Sequence, residues 1–168
     1  NSVFKDTSSG DYGVYIKNTD NAIFQFNTIL DSASDGGSDF GSIYLHISSS
    51  NQILNNTVTN SGRSGIHLKS SNDNKIYGNT VSSSHFHGLY VQSSDNALIR
   101  NNTFSSSSIH GIKVSGSDTV VVDNNTLSSN SNYGLYFSSA DDIIIKSNTV
   151  SDNQAGIYIT GSDDAILS

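Results

Sequence analysis

The chain of 168 residues is long enough for one domain, but a hydrophobic content of 34% is low for a single globular core of that size. Fifteen acidic residues, every one Asp, stand against eight basic ones, and a net charge of −7 without clustered Lys or Arg excludes nucleic acid and anionic membranes as partners. The lack of Cys removes any disulfide framework or thiolate metal site, and with no initiating Met, signal peptide or transmembrane run the sequence reads as a piece of a larger secreted or cell-surface protein.

In chain order, Gly13-Val14-Tyr15-Ile16 opens a series of apolar-x-apolar triplets. It continues as Ser42-Ile43-Tyr44-Leu45, Gly65-Ile66-His67-Leu68, Gly88-Leu89-Tyr90-Val91, Gly111-Ile112-Lys113-Val114, Gly134-Leu135-Tyr136-Phe137 and Gly156-Ile157-Tyr158-Ile159. Alternation within each triplet predicts a strand. A second apolar column, Phe24, Ile53, Ile76, Ile99, Val122 and Ile145, comes just before an Asn-Thr dipeptide in each repeat, and a third, Ile29, Val58, Val81, Phe104, Leu127 and Val150, follows that dipeptide. From Thr57 onward the dipeptide recurs every 23 residues, whereas Thr28 and Thr57 are 29 apart, so six extra residues lie between Ile29 and Ser42. Ser, Asn, Asp and Gly clusters separate the strands as turn chemistry, and no helical period appears. About three short strands per repeat, stacked repeat on repeat, predict an all-β parallel β-helix of about seven coils of 22–23 residues. It occupies 1–168 as a single domain, and no capping helix is visible at either end.

Stacked in register, each column becomes a ladder. The Asn of each Asn-Thr pair is expected at a corner, donating to one neighbouring coil and accepting from the other, so that a file of amides satisfies itself. A second file, Asp20, Asp73, Asp95, Asp118, Asp141 and Asp163, is expected in the turn before the strand that precedes Asn-Thr. Asx-turn formation accounts for it. Calcium is the sharper alternative, but the short Gly-Asp repeats of calcium-binding β-rolls are missing, and no metal or cofactor is expected. The glycosylation sequons starting at Asn55, Asn101 and Asn124 fall inside the repeat, whose spacing already explains them.

The recurring N-N-T-V/F/L-S-S, G-I/L-Y/H/K-L/V/F and S-S-D/N-D/N segments resemble the right-handed parallel β-helix repeat family, including its NosD-like and carbohydrate-binding-and-sugar-hydrolysis members. The resemblance covers about Gly13 to Leu167, and in style the sequence is closest to archaeal surface or disaggregatase-like proteins. It implies the right-handed fold and a polysaccharide partner. No catalytic signature of the family can be matched residue by residue.

Chemistry is expected where the repeat breaks or where an outward column departs from type. The middle residues of the triplets should point outward, giving a stripe of Tyr15, Tyr44, Tyr90, Tyr136 and Tyr158 on which sugar rings could lie. His67 and Lys113 interrupt that stripe. The inserted segment brings Asp35 and Asp39 toward the turns carrying Arg63 and His87, and His87 and His110 fall next to one another in adjacent coils. Arg63 or Lys113 would neutralise a uronate carboxylate while His67, His87, His110 or a Tyr moves a proton at C5, as a lyase or epimerase requires. Asp35 and Asp39 would instead supply the two carboxyl groups of a hydrolase. The sequence thus points to a secreted or cell-surface domain that binds polysaccharide and leans toward degrading it. The rival is a structural or adhesive spacer that associates end to end or with neighbouring domains of the same chain.

Overall fold

The computed structural model describes residues 2–5, 12–32 and 40–168. Among them, short strands assemble into three parallel sheets of seven strands each. The first sheet stacks Val3–Lys5, Thr28–Leu30, Thr57–Thr59, Thr80–Ser82, Thr103–Ser105, Thr126–Ser128 and Thr149–Ser151. The second stacks Val14–Lys17, Gly41–His46, Ser64–Lys69, Leu89–Gln92, Ile112–Ser115, Tyr133–Ser138 and Ala155–Thr160. The third stacks Ile23–Gln25, Gln52–Leu54, Lys75–Tyr77, Leu98–Arg100, Val121–Asp123, Ile144–Lys146 and Ile166–Leu167. The chain visits the sheets in turn, so each strand bonds only to strands one coil earlier and one coil later. This is the expected solenoid of seven coils with three strands per coil.

The core is a thin rod along the axis. The first sheet sends in Ile29, Val58, Val81, Phe104 and Leu127, and the third sends in Ile53, Ile76, Ile99, Val122 and Ile145, while the second contributes pairs such as Ile66 with Leu68 and Leu135 with Phe137. Burying each such side chain contributes roughly 1.5–3 kcal/mol, which is how a composition too polar for a globule supports a fold. Where the chain turns from the first sheet into the second it runs against that rod. A Cβ on Gly65 would lie 2.2 Å from Cγ1 of Val81, and one on Gly88 would lie 2.7 Å from the Gly111 carbonyl oxygen, so only glycine passes there.

The Ser, Asn and Asp enrichment has a backbone cause. Corner positions adopt positive φ once per coil, as in the file Asn55 (53°), Gly78 (68°), Asn101 (57°), Asn124 (53°) and Ser147 (55°), and in a second file of Asn60 (55°), Ser83 (56°), Ser106 (56°) and Ser129 (57°). Asn, Asp and Gly tolerate this left-handed region best.

Two polar ladders lock the coils in register. The amide Nδ2 of Asn56 donates to Oδ1 of Asn79 at 3.1 Å, and the same bond repeats at 3.0 Å from Asn79 to Asn102, from Asn102 to Asn125 and from Asn125 to Asn148. Each Oδ1 also accepts a backbone N–H from the preceding coil, as Asn102 does from Asn79 at 2.8 Å. In the acidic file, Oδ1 of Asp95 accepts the amide of Asp118, Oδ1 of Asp118 that of Asp141, and Oδ1 of Asp141 that of Asp163. Asp73 is not in this file. Asn72 holds that place, accepting from the Asp95 amide at 2.9 Å, while Asp73 sits one residue on, at φ 58°, and accepts from Asn96 Nδ2. The expectation slipped by one because Asn72-Asp73 offers two residues of equal turn propensity, and the left-handed corner selects the second.

Candidate functional site

The outer face of the second sheet carries the chemistry. Strand register places Tyr15, Tyr44, His67, Tyr90, Lys113, Tyr136 and Tyr158 in one outward column. Parallel stacking brings their rings together: Tyr15 to Tyr44 is 5.2 Å, Tyr44 to His67 5.0 Å, His67 to Tyr90 4.6 Å and Tyr136 to Tyr158 5.5 Å. Where Lys113 interrupts the rings, its Nζ lies 4.7 Å over the Tyr90 ring, a cation–π contact.

A second file leans over this column. It comes from the residue just before the turn glycine, which is Tyr12, His87, His110 and Tyr133 in the coils where it is aromatic or imidazole. Tyr12 stacks on Tyr15 at 4.5 Å and on Tyr44 at 5.3 Å, and Phe40 meets Tyr44 edge-on at 5.9 Å. His87 meets Tyr90 edge-on at 5.5 Å and stacks on His110 at 5.0 Å with planes 2° apart. His110 stacks in turn on Tyr136 at 4.8 Å, and Tyr133 on Tyr158 at 5.0 Å. One band of rings therefore runs along the face through all seven coils. Sequence reasoning overlooked Tyr12 and Tyr133, although both stand at the position already singled out for His87 and His110.

The overhang changes the exposure expected of the tyrosines. Tyr15 and Tyr158 are 40% and 42% exposed, but Tyr44 and Tyr90 retain only 3% and 7%. The band is open at Tyr15 and Tyr158, and half open at Tyr136, and closed over between them. Arg63, His67, His87 and His110 are buried there too, with the Arg63 guanidinium 5.7 Å over the Phe40 ring. Asp35 and Asp39 lie outside the described residues.

Burial fixes the protonation of the imidazoles. That of His87 is pushed down to about 2, first by loss of solvent and then by neighbouring His110, Lys113 and His67. His110 is lowered to about 4 by burial and by Lys113, and its Nδ1 accepts the Tyr133 amide at 3.3 Å, which puts its proton on Nε2. His46, between Lys17 and Lys69 in the next outward column, is lowered by burial and by both lysines, and its Nδ1 pairs with the Tyr15 hydroxyl at 3.1 Å. His67 Nε2 donates to Gln92 Oε1 at 3.2 Å. Among the described residues Nδ1 of His87 is buried without a hydrogen-bond partner, an arrangement that calls for a role or a guest. Neutral imidazoles, phenols and an ammonium in one band can accept, donate and neutralise. No group of three or more His and Asp side chains among the described residues is placed to hold a metal ion.

A family model described as a right-handed beta helix region matches residues 1–112 and, in an overlapping placement, 41–168. Among solved structures, a mutant of the periplasmic alginate epimerase AlgG superposes with a TM-score of 0.84 at 19% identity, covering 100% of this chain and 42% of that one. The Streptococcus pneumoniae surface adhesin PfbA matches with a TM-score of 0.64 at 13% identity, covering 79% of this chain and 41% of that one. Tailspike protein 2 of the Escherichia coli O157:H7 bacteriophage CAB120 matches with a TM-score of 0.59 at 14% identity, covering 93% of this chain and 28% of that one. The chain thus spans less than half the length of each, and the likeness is one of fold. A search of curated proteins gives no match.

Proposed function

This chain belongs to the right-handed β-helix family, and from that premise we propose that it binds polysaccharide along the outer face of the second sheet and moves a proton on the bound sugar. The observation that carries this reading is the continuous band of rings through all seven coils, open at Tyr15 and Tyr158, half open at Tyr136 and closed over His87 and His110. Flat rings offer apolar area to a pyranose while the edge hydroxyls satisfy its polar groups. At the edge of the closed part, His110, lowered less than His87, is the neutral imidazole that takes the proton, half-exposed Tyr136 returns one, and Lys113 holds a carboxylate on the sugar. Hydrolysis is the alternative, in which Asp35 and Asp39, outside the described residues, would supply the two carboxyl groups. A secreted, periplasmic or cell-surface location accompanies the proposal.

The deciding experiment follows acidic and neutral polysaccharides for retention on the protein, for new reducing ends and for the ultraviolet absorbance of unsaturated uronate. Retention with absorbance supports lyase chemistry, and retention with changed sugar stereochemistry supports epimerisation. Tyr158→Ala should lower retention several-fold while the fold persists, and His110→Ala should abolish turnover while retention survives. If no glycan is retained, the reading fails and adhesion, the role of the surface adhesin PfbA, becomes the better one.

A further inference from the structure

The first sheet presents a different outer face, which polysaccharide binding on the second sheet leaves unused. Register aligns Thr28, Thr57, Thr80, Thr103, Thr126 and Thr149 in one outward column and Thr59, Ser82, Ser105, Ser128 and Ser151 in the other. From Thr57 to Ser151 these two files contain no charge, no aromatic ring and no break in the 23-residue spacing, whereas the first two coils place Lys5 and Leu30 at the head of the second file. In a chain of net charge −7 that is a marked exclusion, since the outer faces of the other sheets carry Lys17, Lys69, Lys113, Lys75, Arg100, Asp123 and Lys146. Strand propensity alone does not demand it. Equivalent outward positions on the other sheets accept Tyr, His, Lys, Gln, Leu, Val and Ile. On the side of the third sheet the face is open, because only two residues, such as Asn55-Asn56, join that sheet to the first.

Periodic uncharged hydroxyls with Thr methyls between them match a periodic uncharged partner. Stacked strands set successive threonines about 4.8 Å apart. Water oxygens joined by hydrogen bonds of about 2.75 Å at the tetrahedral angle put second neighbours about 4.5 Å apart. The difference of about 0.3 Å per coil is small enough for rotating hydroxyls to absorb over a few coils. The hydroxyls are also available: among the described residues one side-chain bond runs along these files, Ser82 to Thr59 of the preceding coil at 3.4 Å. A sugar lattice would be expected to engage aromatic rings, which this face lacks.

We propose that the first sheet binds crystalline water, holding a layer of ordered water on its two hydroxyl files and docking through it onto an ice surface. The test is ice recrystallisation and freezing-point hysteresis with the purified chain. The chain should arrest crystal growth and shape the crystals. The double variant Thr103→Lys, Thr126→Lys should lose both effects, whereas Lys75→Ala on the third sheet keeps them. Thr103→Tyr, which retains strand propensity while lifting the lattice off the face, serves as a second variant should lysine impair folding, as judged by circular dichroism. Ice growth indistinguishable from that with an unrelated protein of equal size overturns the proposal, as does full activity in the folded Thr103→Tyr chain. Binding to an insoluble neutral polysaccharide that these substitutions abolish, with no effect on ice, would reassign the face to a sugar lattice and overturn it equally.

Discussion

Ile47 occupies an exposed corner at φ 52°, in the file where other coils place Asn18, Ser70, Ser93, Gly116 and Ser139. A β-branched side chain in this region costs about 1–2 kcal/mol relative to a residue that tolerates it. Ile47→Asn should therefore raise stability by about 1 kcal/mol, read as a higher denaturant midpoint with an unchanged slope. His87 makes the opposite kind of statement. Its folded value near 2 lies below the free value of 6.5, so the unfolded chain binds the proton more readily. Stability is thus complete above pH 6.5 and falls as the pH drops toward the folded values of His87 and His110. Between pH 6.5 and 5 the loss through His87 is about 2 kcal/mol, and denaturant titrations of His87→Asn should show a flatter profile across that window. An unchanged slope would mean that the ring stack does not hold His87 neutral.

Within an element, ladders matter more than strands of three residues. Asn102 Nδ2 bonds the Ile76 carbonyl at 2.8 Å and the Arg100 carbonyl at 3.0 Å, and its Oδ1 accepts from Asn79. Asn102→Ala strands several buried groups at about 1–3 kcal/mol each, so a loss of about 3 kcal/mol or more is expected. Asn27→Ala, in a more open coil, should cost less when both are measured by chemical denaturation. These columns could be read from the sequence because stacking turns sequence period into spatial register. Tyr15, Tyr44, His67, Tyr90, Lys113, Tyr136 and Tyr158 fall into line for that reason alone. Burial of Tyr44 and Tyr90 could not be read in the same way, since it depends on how far Phe40 and His87 lean from a neighbouring turn. Asn72 and Asp73 show the residual ambiguity of one residue at corners, where two adjacent polar residues suit the turn equally.

Across the whole molecule, a strand answers only to the coils beside it, so damage should stay local. Gly88→Ala forces a Cβ against the Gly111 carbonyl oxygen and 2.9 Å from Phe104 Cδ1. Hydrogen exchange should then lose protection in that coil and its two neighbours, while Tyr133–Ser138 and Ala155–Thr160 keep theirs. Uniform loss throughout would instead show the solenoid to be one cooperative unit. The strict 23-residue spacing also makes length a matter of counting. Excising 103–125 would join Asn102 to Thr126, close the amide file from Asn79 through Asn102 to Asn148, and leave every sheet one strand narrower without a seam. Slipped copying of a gene segment that encodes one coil would add or remove a rung in the same way. The ring band and the hydroxyl files would lengthen or shorten together, so heredity can tune the reach of this surface in whole steps without redesigning any part of it.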